Sequence, residues 1–431
     1  MPQKHKYTKI HKIFINNDIT FVNFSCFSAF VAKNHLIKLI LPLLVFFSTL
    51  TSCTKNPDVE LIPAHKPTPY EIKIPFGFPT KLNIPEDNPM TVEGIELGRY
   101  LFYDGRISGH ADPAKHMSCA TCHIQENAFE CGIDHPVYIN GRTHGVTGIP
   151  TPHFMLPLFN QVFNHSGYLW NGFVEEANPN PMLRNLEALT YMGIIAPHEM
   201  NSDTLSAVNA IRAIPGYSEL FKKAFGTEEV TIDRMSKSIS QFIRTFISAN
   251  SRFDKYMRGE VQLSPAELSG YVLFVTEEGA DCFHCHGGAG NPLFTTHLYY
   301  NNGKDSIFND PRDRFGVTGD PMMRGAYKAP SLRNIEFTAP YMHDGRFKTL
   351  DEVIDFYSSG LINSPYIDPL MHHINNNGVQ LTPTEKANLK AFLLTLSDHD
   401  FISNPAFSRP ENLPQRFNLS GPSDADRLFG R

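Results

Sequence analysis

Two five-residue segments constrain this chain more than any other feature: Cys119-Ala120-Thr121-Cys122-His123 and Cys282-Phe283-His284-Cys285-His286. Cys-x-x-Cys-His is the attachment signature of a c-type haem. Two thiols three positions apart reach the two vinyl groups of one porphyrin, and the adjacent His then lies under the iron as its axial ligand. Two copies do not arise by chance from this composition. Zinc sites want their cysteine pairs roughly 15 to 20 residues apart, whereas Cys122 and Cys282 are 160 apart. A thioredoxin-type redox pair needs a βαβ context that is missing. The sequence therefore predicts two covalent haem c groups, held through Cys119, Cys122 and His123 and through Cys282, Cys285 and His286.

Everything around the motifs has to build pockets for them. With 431 residues, 41% of them hydrophobic and 33 of them Phe, there is material for two or three packed cores and too much apolar side chain for a disordered chain. The one long apolar stretch, Leu39 to Leu50, is short of the roughly 20 residues that span a bilayer. It reads as the core of an export signal behind Lys33 and Lys38, within residues 31–53. Leu50-Thr51-Ser52-Cys53 resembles a lipobox, which would make Cys53 a lipid anchor, against the alternative of an ordinary cleavage near Ser52. Residues 1–30 fit neither pattern and read as an N-terminal extension, with Val31 an alternative initiator. Residues 54–90 carry eight prolines and read as an extended tether. Export agrees with the motifs, because c-type haem is attached outside the cytoplasm, and it predicts a periplasmic protein. Beyond residue 38 the chain holds 32 basic and 43 acidic residues, which argues against nucleic acid as a partner.

Helical signals dominate. Gly98-Arg99-Tyr100-Leu101-Phe102 precedes the first motif and Gly270-Tyr271-Val272-Leu273-Phe274 the second, each as the end of a helix, which marks an internal repeat. Capping boxes open helices at Ser264-Pro265-Ala266-Glu267, which runs Leu268, Val272 and Val275 down one face, and at Thr382-Pro383-Thr384-Glu385, which turns Leu389, Phe392, Leu393 and Leu396 inward. Ile232, Met235, Ile239, Phe242, Ile243 and Phe246 give a further helical stripe ending near Asn250. The expected architecture is all-α, with two cytochrome c-like haem domains, 91–255 and 256–431.

From about Gly94 to Leu396 the chain resembles the bacterial di-haem cytochrome c peroxidases and their relative, the di-haem enzyme that matures a tryptophan-derived quinone in methylamine dehydrogenase. The resemblance is carried by Leu97-Gly98-Arg99-Tyr100-Leu101-Phe102-Tyr103-Asp104, both haem motifs, Glu199-Met200 and Phe253-Asp254-Lys255-Tyr256. Most specific is Ala329-Pro330-Ser331-Leu332-Arg333-Asn334 through Thr338-Ala339-Pro340-Tyr341-Met342-His343-Asp344-Gly345.

The resemblance implies that the N-terminal haem reduces hydrogen peroxide and the C-terminal haem supplies electrons. It implies Glu199 as the acid-base carboxylate and Trp170, the only Trp, as a relay between the haems. Arg333 is carried over among the haem-binding residues, and Tyr357 as the second axial ligand of the C-terminal haem. Tyr357 stands where peroxidases usually have Met and the quinone-maturing relative has Tyr; Met322, Met323, Met342 and Met371 are rivals. His144, in a glycine-rich loop, is the candidate distal ligand of the first haem, against a surface His. Departures are His153-Phe154 for the family's Arg-Asn, Leu189 for its active-site Gln, and Asn171 and Phe173 flanking Gly172. Phe154 also removes a side chain that helps the family hold calcium between the domains, leaving the carbonyls of Thr338 and Pro340. Three function classes follow: a peroxidase fed by a small cytochrome c or copper protein, an oxidase of a protein side chain, and an electron carrier without substrate chemistry.

Overall fold

The computed structural model describes residues 65–288 and 290–414. The export signal, Cys53 and the first part of the proline-rich segment lie outside them. Of the described residues, the first half contains α1 (Val92–Tyr103), α2 (Leu186–Ile195), α3 (Thr204–Arg212), α4 (Pro215–Phe225) and α5 (Ile232–Arg244). After α6 (Arg252–Met257) come α7 (Pro265–Phe274), α8 (Phe283–His286), α9 (Arg314–Thr318), α10 (Leu350–Ser359), α11 (Pro383–Leu394) and α12 (His399–Ile402). Among the described residues, strands are limited to two antiparallel ladders of two residues a side, the hairpin Tyr138–Ile139 with Arg142–Thr143 and the longer-range pair Tyr299–Tyr300 with Tyr327–Lys328.

The repeat is built on two glycines. In the first half α1 lies along α5, and a Cβ on Gly98 would fall 1.9 Å from the Ser238 carbonyl oxygen and 3.0 Å from Phe242 Cβ. In the second half α7 lies along α11, and a Cβ on Gly270 would fall 1.9 Å from the Asn388 carbonyl and 2.8 Å from Phe392 Cβ. Each glycine lets two helices touch backbone to side chain, which seats Phe102 and Phe242 in one core and Phe274 and Phe392 in the other. The face Leu268–Val272 of α7 is exposed, because Gly270 and Phe274 take the side toward α11. The capping boxes of α7 and α11 form as expected. Helix α5 ends at Arg244, earlier than its apolar stripe, and Phe246 is buried beyond its cap.

The repeat runs further than the helices. Leu158-Phe159-Asn160-Gln161-Val162-Phe163 and Leu332-Arg333-Asn334-Ile335-Glu336-Phe337 each place their Asn at φ 58°, ψ 21° before a short 3-10 turn. Tyr168 to Val174 and Tyr341 to Phe347 then close matching bridges, with Leu169 and Met342 both at positive φ. Trp170 and His343 hold equivalent places in the two copies.

Residues 65–90 are not a free tether. Ile72, Phe78 and Met90 are buried with Val162, Phe163 and Leu293. Asn88 donates to Glu187 at 2.6 Å and accepts from Gln241 at 2.7 Å. The prolines set an extended backbone, but the apolar side chains between them find a surface to cover. The chain's other end also packs back: Phe401 and Phe407 sit in the first core, against Phe129 and Phe246. No described helix is long and apolar enough to cross a membrane.

Candidate active site

The first motif opens on a cavity of about 470 Å³. Cys119, Cys122 and His123 line it with Phe102, Met117, Leu186, Leu189, Ile239 and Ile243, a largely apolar wall suited to a porphyrin. None of the described cysteines is in a disulfide, so both thiols of each motif are free for thioethers. His123 Nδ1 lies 2.7 Å from the Phe129 carbonyl and His286 Nδ1 3.1 Å from that of Pro330. A backbone acceptor on Nδ1 fixes the tautomer and leaves Nε2 for a metal. Burial holds both imidazoles neutral, with pKa values lowered to about 4, as ligation requires. Both donor sets thus fit a c-type haem.

Glu199 stands on the cavity wall. Its turn follows α2, where the Glu199 amide donates to the Ala196 carbonyl at 3.0 Å, and Val146 donates to its own carbonyl at 2.9 Å. Gly193 on α2 makes room for it, since a Cβ there would lie 2.9 Å from Glu199 Oε2. The Glu199 side chain is 43% exposed where it borders the cavity and lies 3.8 Å from His198 Nε2, and desolvation by the protein around it pushes its pKa up to about 7. Burial, then the Glu199 charge, pushes the Cys119 thiol up to about 12, which places the carboxylate within electrostatic range of the first motif. Leu189 lines the same wall where the family carries Gln.

His144 is not brought to this wall. Thr143 and Gly145 line the cavity on either side of it, while His144 Nδ1 lies 3.2 Å from the Arg142 carbonyl. The short ladder alternates side chains, so the turn that exposes Thr143 inward sends His144 elsewhere. Arg333 is held by protein partners. Fully buried, it donates to both Asp254 oxygens at 2.8 and 2.6 Å and to the Pro292 carbonyl at 2.5 Å. Burial would raise Asp254, but Arg333 outweighs it and holds the carboxyl below its ordinary range. The pair anchors α6 to the Ala329–Asn334 block, and losing one partner of such a pair costs about 3–5 kcal/mol.

Trp170 is buried between the motifs. Its Nε1 donates to the Phe154 carbonyl at 2.6 Å, and its own carbonyl accepts from the Lys328 amide at 2.7 Å. Two residues on, the Pro330 carbonyl meets His286 Nδ1. Trp170 shares the first cavity with His123, so one residue borders the first site and is three residues of chain from the second. The repeat supplies what the motif search missed: His343 stands edge-on to Trp170, ring centroids 6.3 Å apart, and stacks on Tyr327 at 3.5 Å. His153 lies edge-on to both His343 and Tyr327 and bonds Asp310 at 2.7 Å. The matching Tyr-x-x-x-Gly of the two copies was the signal that could have paired Trp170 with His343.

Tyr357 projects from α10 toward the second motif. Asn302 Nδ2 donates to its hydroxyl at 2.9 Å and lies 3.7 Å from Met342 Sδ. Burial raises the hydroxyl's pKa well above its ordinary value, opposed by Asn302 and reinforced by Cys285 and Cys282. Tyr357 is therefore within electrostatic range of the thiols of the C-terminal motif.

Two haem-competent Cys-x-x-Cys-His sites in a duplicated helical scaffold, one of them with a carboxylate on its cavity wall, define a di-haem c-type oxidoreductase. The chain belongs to the di-haem cytochrome c peroxidase family, whose sequence profile matches residues 92–262. It is 31% identical over 327 residues to methylamine utilization protein MauG of Methylorubrum extorquens, covering 75% of this chain and 84% of that one. It is 33% identical over 283 residues to cytochrome c551 peroxidase of Nitrosomonas europaea, covering 64% and 75%. A solved MauG-like protein associated with microbial copper homeostasis superposes with a TM-score of 0.68 at 34% identity, over 79% of this chain and 99% of that one.

Proposed function

We propose that the chain is a periplasmic peroxidase that reduces hydrogen peroxide to water with electrons from a small cytochrome c or copper protein. The observation that carries this reading is the place of Glu199, a carboxyl on the cavity wall that holds His123 and both thiols of the first motif, with its pKa raised to about 7 by desolvation. Bound haem would supply the iron centre for peroxide and a second centre to store an electron. Glu199 takes a proton from the incoming peroxide and returns it to the leaving oxygen, a role that needs a pKa near the working pH. The apolar wall keeps bulk water from that exchange. Trp170, buried and held at both Nε1 and its carbonyl, is the relay between the halves.

A second reading, oxidation of a protein side chain, is favoured by one observation: Tyr357 rather than Met beside the second motif. A phenolate stabilises ferric and higher states, where a thioether favours ferrous iron. The similarity to MauG points the same way. Stopped-flow spectra of the purified protein with hydrogen peroxide separate the two. Catalytic oxidation of reduced cytochrome c supports the peroxidase; a long-lived oxidised state that ignores cytochrome supports the second reading; no reaction with peroxide overturns both.

A further inference from the structure

A cluster of imidazoles and carboxylates lies outside the peroxide chemistry. Helix α7 ends in a turn locked by backbone bonds, Gly279 and Asp281 both donating to the Thr276 carbonyl at 3.2 Å and Ala280 to Leu273 at 2.8 Å. That turn presents Glu277 and Asp281, the motif beside it presents His284, and a distant segment brings His372. His373 Nε2, 2.9 Å from the Glu277 carbonyl, pins that segment to the turn.

We propose that Glu277, His284 and His372 bind one divalent transition-metal ion, with Asp281 orienting His284 from behind. One donor atom from each of the three lies within 4.8 Å of the others, a spread that side-chain rotation closes. Donors about 2.0–2.2 Å from a shared tetrahedral ion sit roughly 3.3 Å apart. His372 Nδ1 is already 3.1 Å from Glu277 Oε1 and 3.5 Å from Asp281 Oδ2. The rings of His284 and His372 face each other edge-on at 5.0 Å.

Asp281 is the fixed element. Its side chain is only 7% exposed, and Oδ1 lies 2.5 Å from His284 Nδ1, which leaves His284 Nε2 for an ion. A carboxylate behind a ligating imidazole is the arrangement that raises a histidine's basicity in metal sites. Glu277 and His372 are open to solvent, so an ion has a way in. Two nitrogens and an oxygen select borderline ions such as Zn²⁺ or Cu²⁺ over calcium, which wants oxygen, and over cuprous ion, which wants sulfur. His284 stands between Cys282 and Cys285, so a bound dication would sit beside the second haem and raise its reduction potential by favouring the ferrous form.

The site does not depend on which reaction the first haem carries out. Calorimetric titration of the purified di-haem protein with Zn²⁺ should show one site per chain, unaffected by tenfold excess Ca²⁺. His372→Ala and Glu277→Ala, both outside the haem motif, should each weaken it roughly tenfold or more with the haem spectrum unchanged. In spectroelectrochemistry, Zn²⁺ should raise one haem potential in the parent and leave it unmoved in His372→Ala. A parent without a stoichiometric site, or both variants binding Zn²⁺ as tightly as the parent, would overturn the proposal and leave an ion-pair cluster only.

Discussion

Glu199 and Tyr357 act at the scale of single atoms, and both can be tested by near-isosteric changes. Glu199→Gln keeps the side chain's volume against Gly193 and removes the base, so peroxide turnover should fall about 10²- to 10⁴-fold with haem content intact. The pH profile gives the sign. Desolvation raises this carboxyl to about 7, and only the ionised form accepts peroxide's proton, so turnover should climb with pH through an inflection near 7. Glu199→Gln should show no such inflection; an unchanged profile would remove Glu199 from the proton path. For Tyr357, the parent should lack the near-infrared band of Met-ligated ferric haem. If the band is present and survives in Tyr357→Phe, the axial ligand is a methionine, with Met342 the nearest to the same Asn302. Both residues were named by resemblance to a family, and the structure places Glu199 on the cavity wall and Tyr357 within electrostatic range of the second motif. His144 and Arg333 show the limit: spacing places a residue on a segment, but ladder alternation and a buried Asp254 decided where each side chain went.

At the scale of elements, the two helix pairs depend on glycine for different partners but the same distance. Gly98→Ala should destabilise the fold by about 1–3 kcal/mol or more, because the added methyl meets the Ser238 carbonyl rather than a flexible side chain. Gly270→Ala should do the same against Asn388. Chemical denaturation followed by far-ultraviolet circular dichroism would read both, and a neutral effect would mean that the crossings can slide apart. Capping boxes made these helices readable in advance, since Ser264 with Glu267 and Thr382 with Glu385 satisfy local donors whatever the rest of the chain does. The inward face of α7 was not readable, because glycine carries no hydrophobic signal and yet marks the side of closest approach. Comparison of the copies extends the point. Helices α2 and α10 each begin on a capping residue followed by Leu, and seven positions later the first has Gly193 and the second Tyr357. One copy has a glycine there that makes room for Glu199, while the other carries a tyrosine whose hydroxyl accepts from Asn302.

For the whole molecule, the mass of the denatured mature protein should exceed the polypeptide by two haems; a bare polypeptide mass would remove the basis of every functional statement. The proline-rich stretch from residue 65 shows why domain limits were harder to read than motifs. Ile72, Phe78 and Met90 are too sparse to announce a core, and they bury only because Val162 and Leu293 happen to face them. The other end binds back as well: Arg99 donates to the Ser408 and Pro405 carbonyls, Tyr103 to that of Phe407, and Gln125 to that of Asn404. A chain stopped after Asp398 should accordingly be cut by protease near Phe129 while the second half resists; equal resistance in both halves would show this closure to be dispensable. A polypeptide is delivered from its first residue onward, so the first half waits, unsealed, until Phe401 and Phe407 have arrived. Cys119 borders that unfinished core. The segment that closes this core emerges long after Cys119 itself, which leaves an interval in which the first motif can be reached before Phe401 and Phe407 cover it.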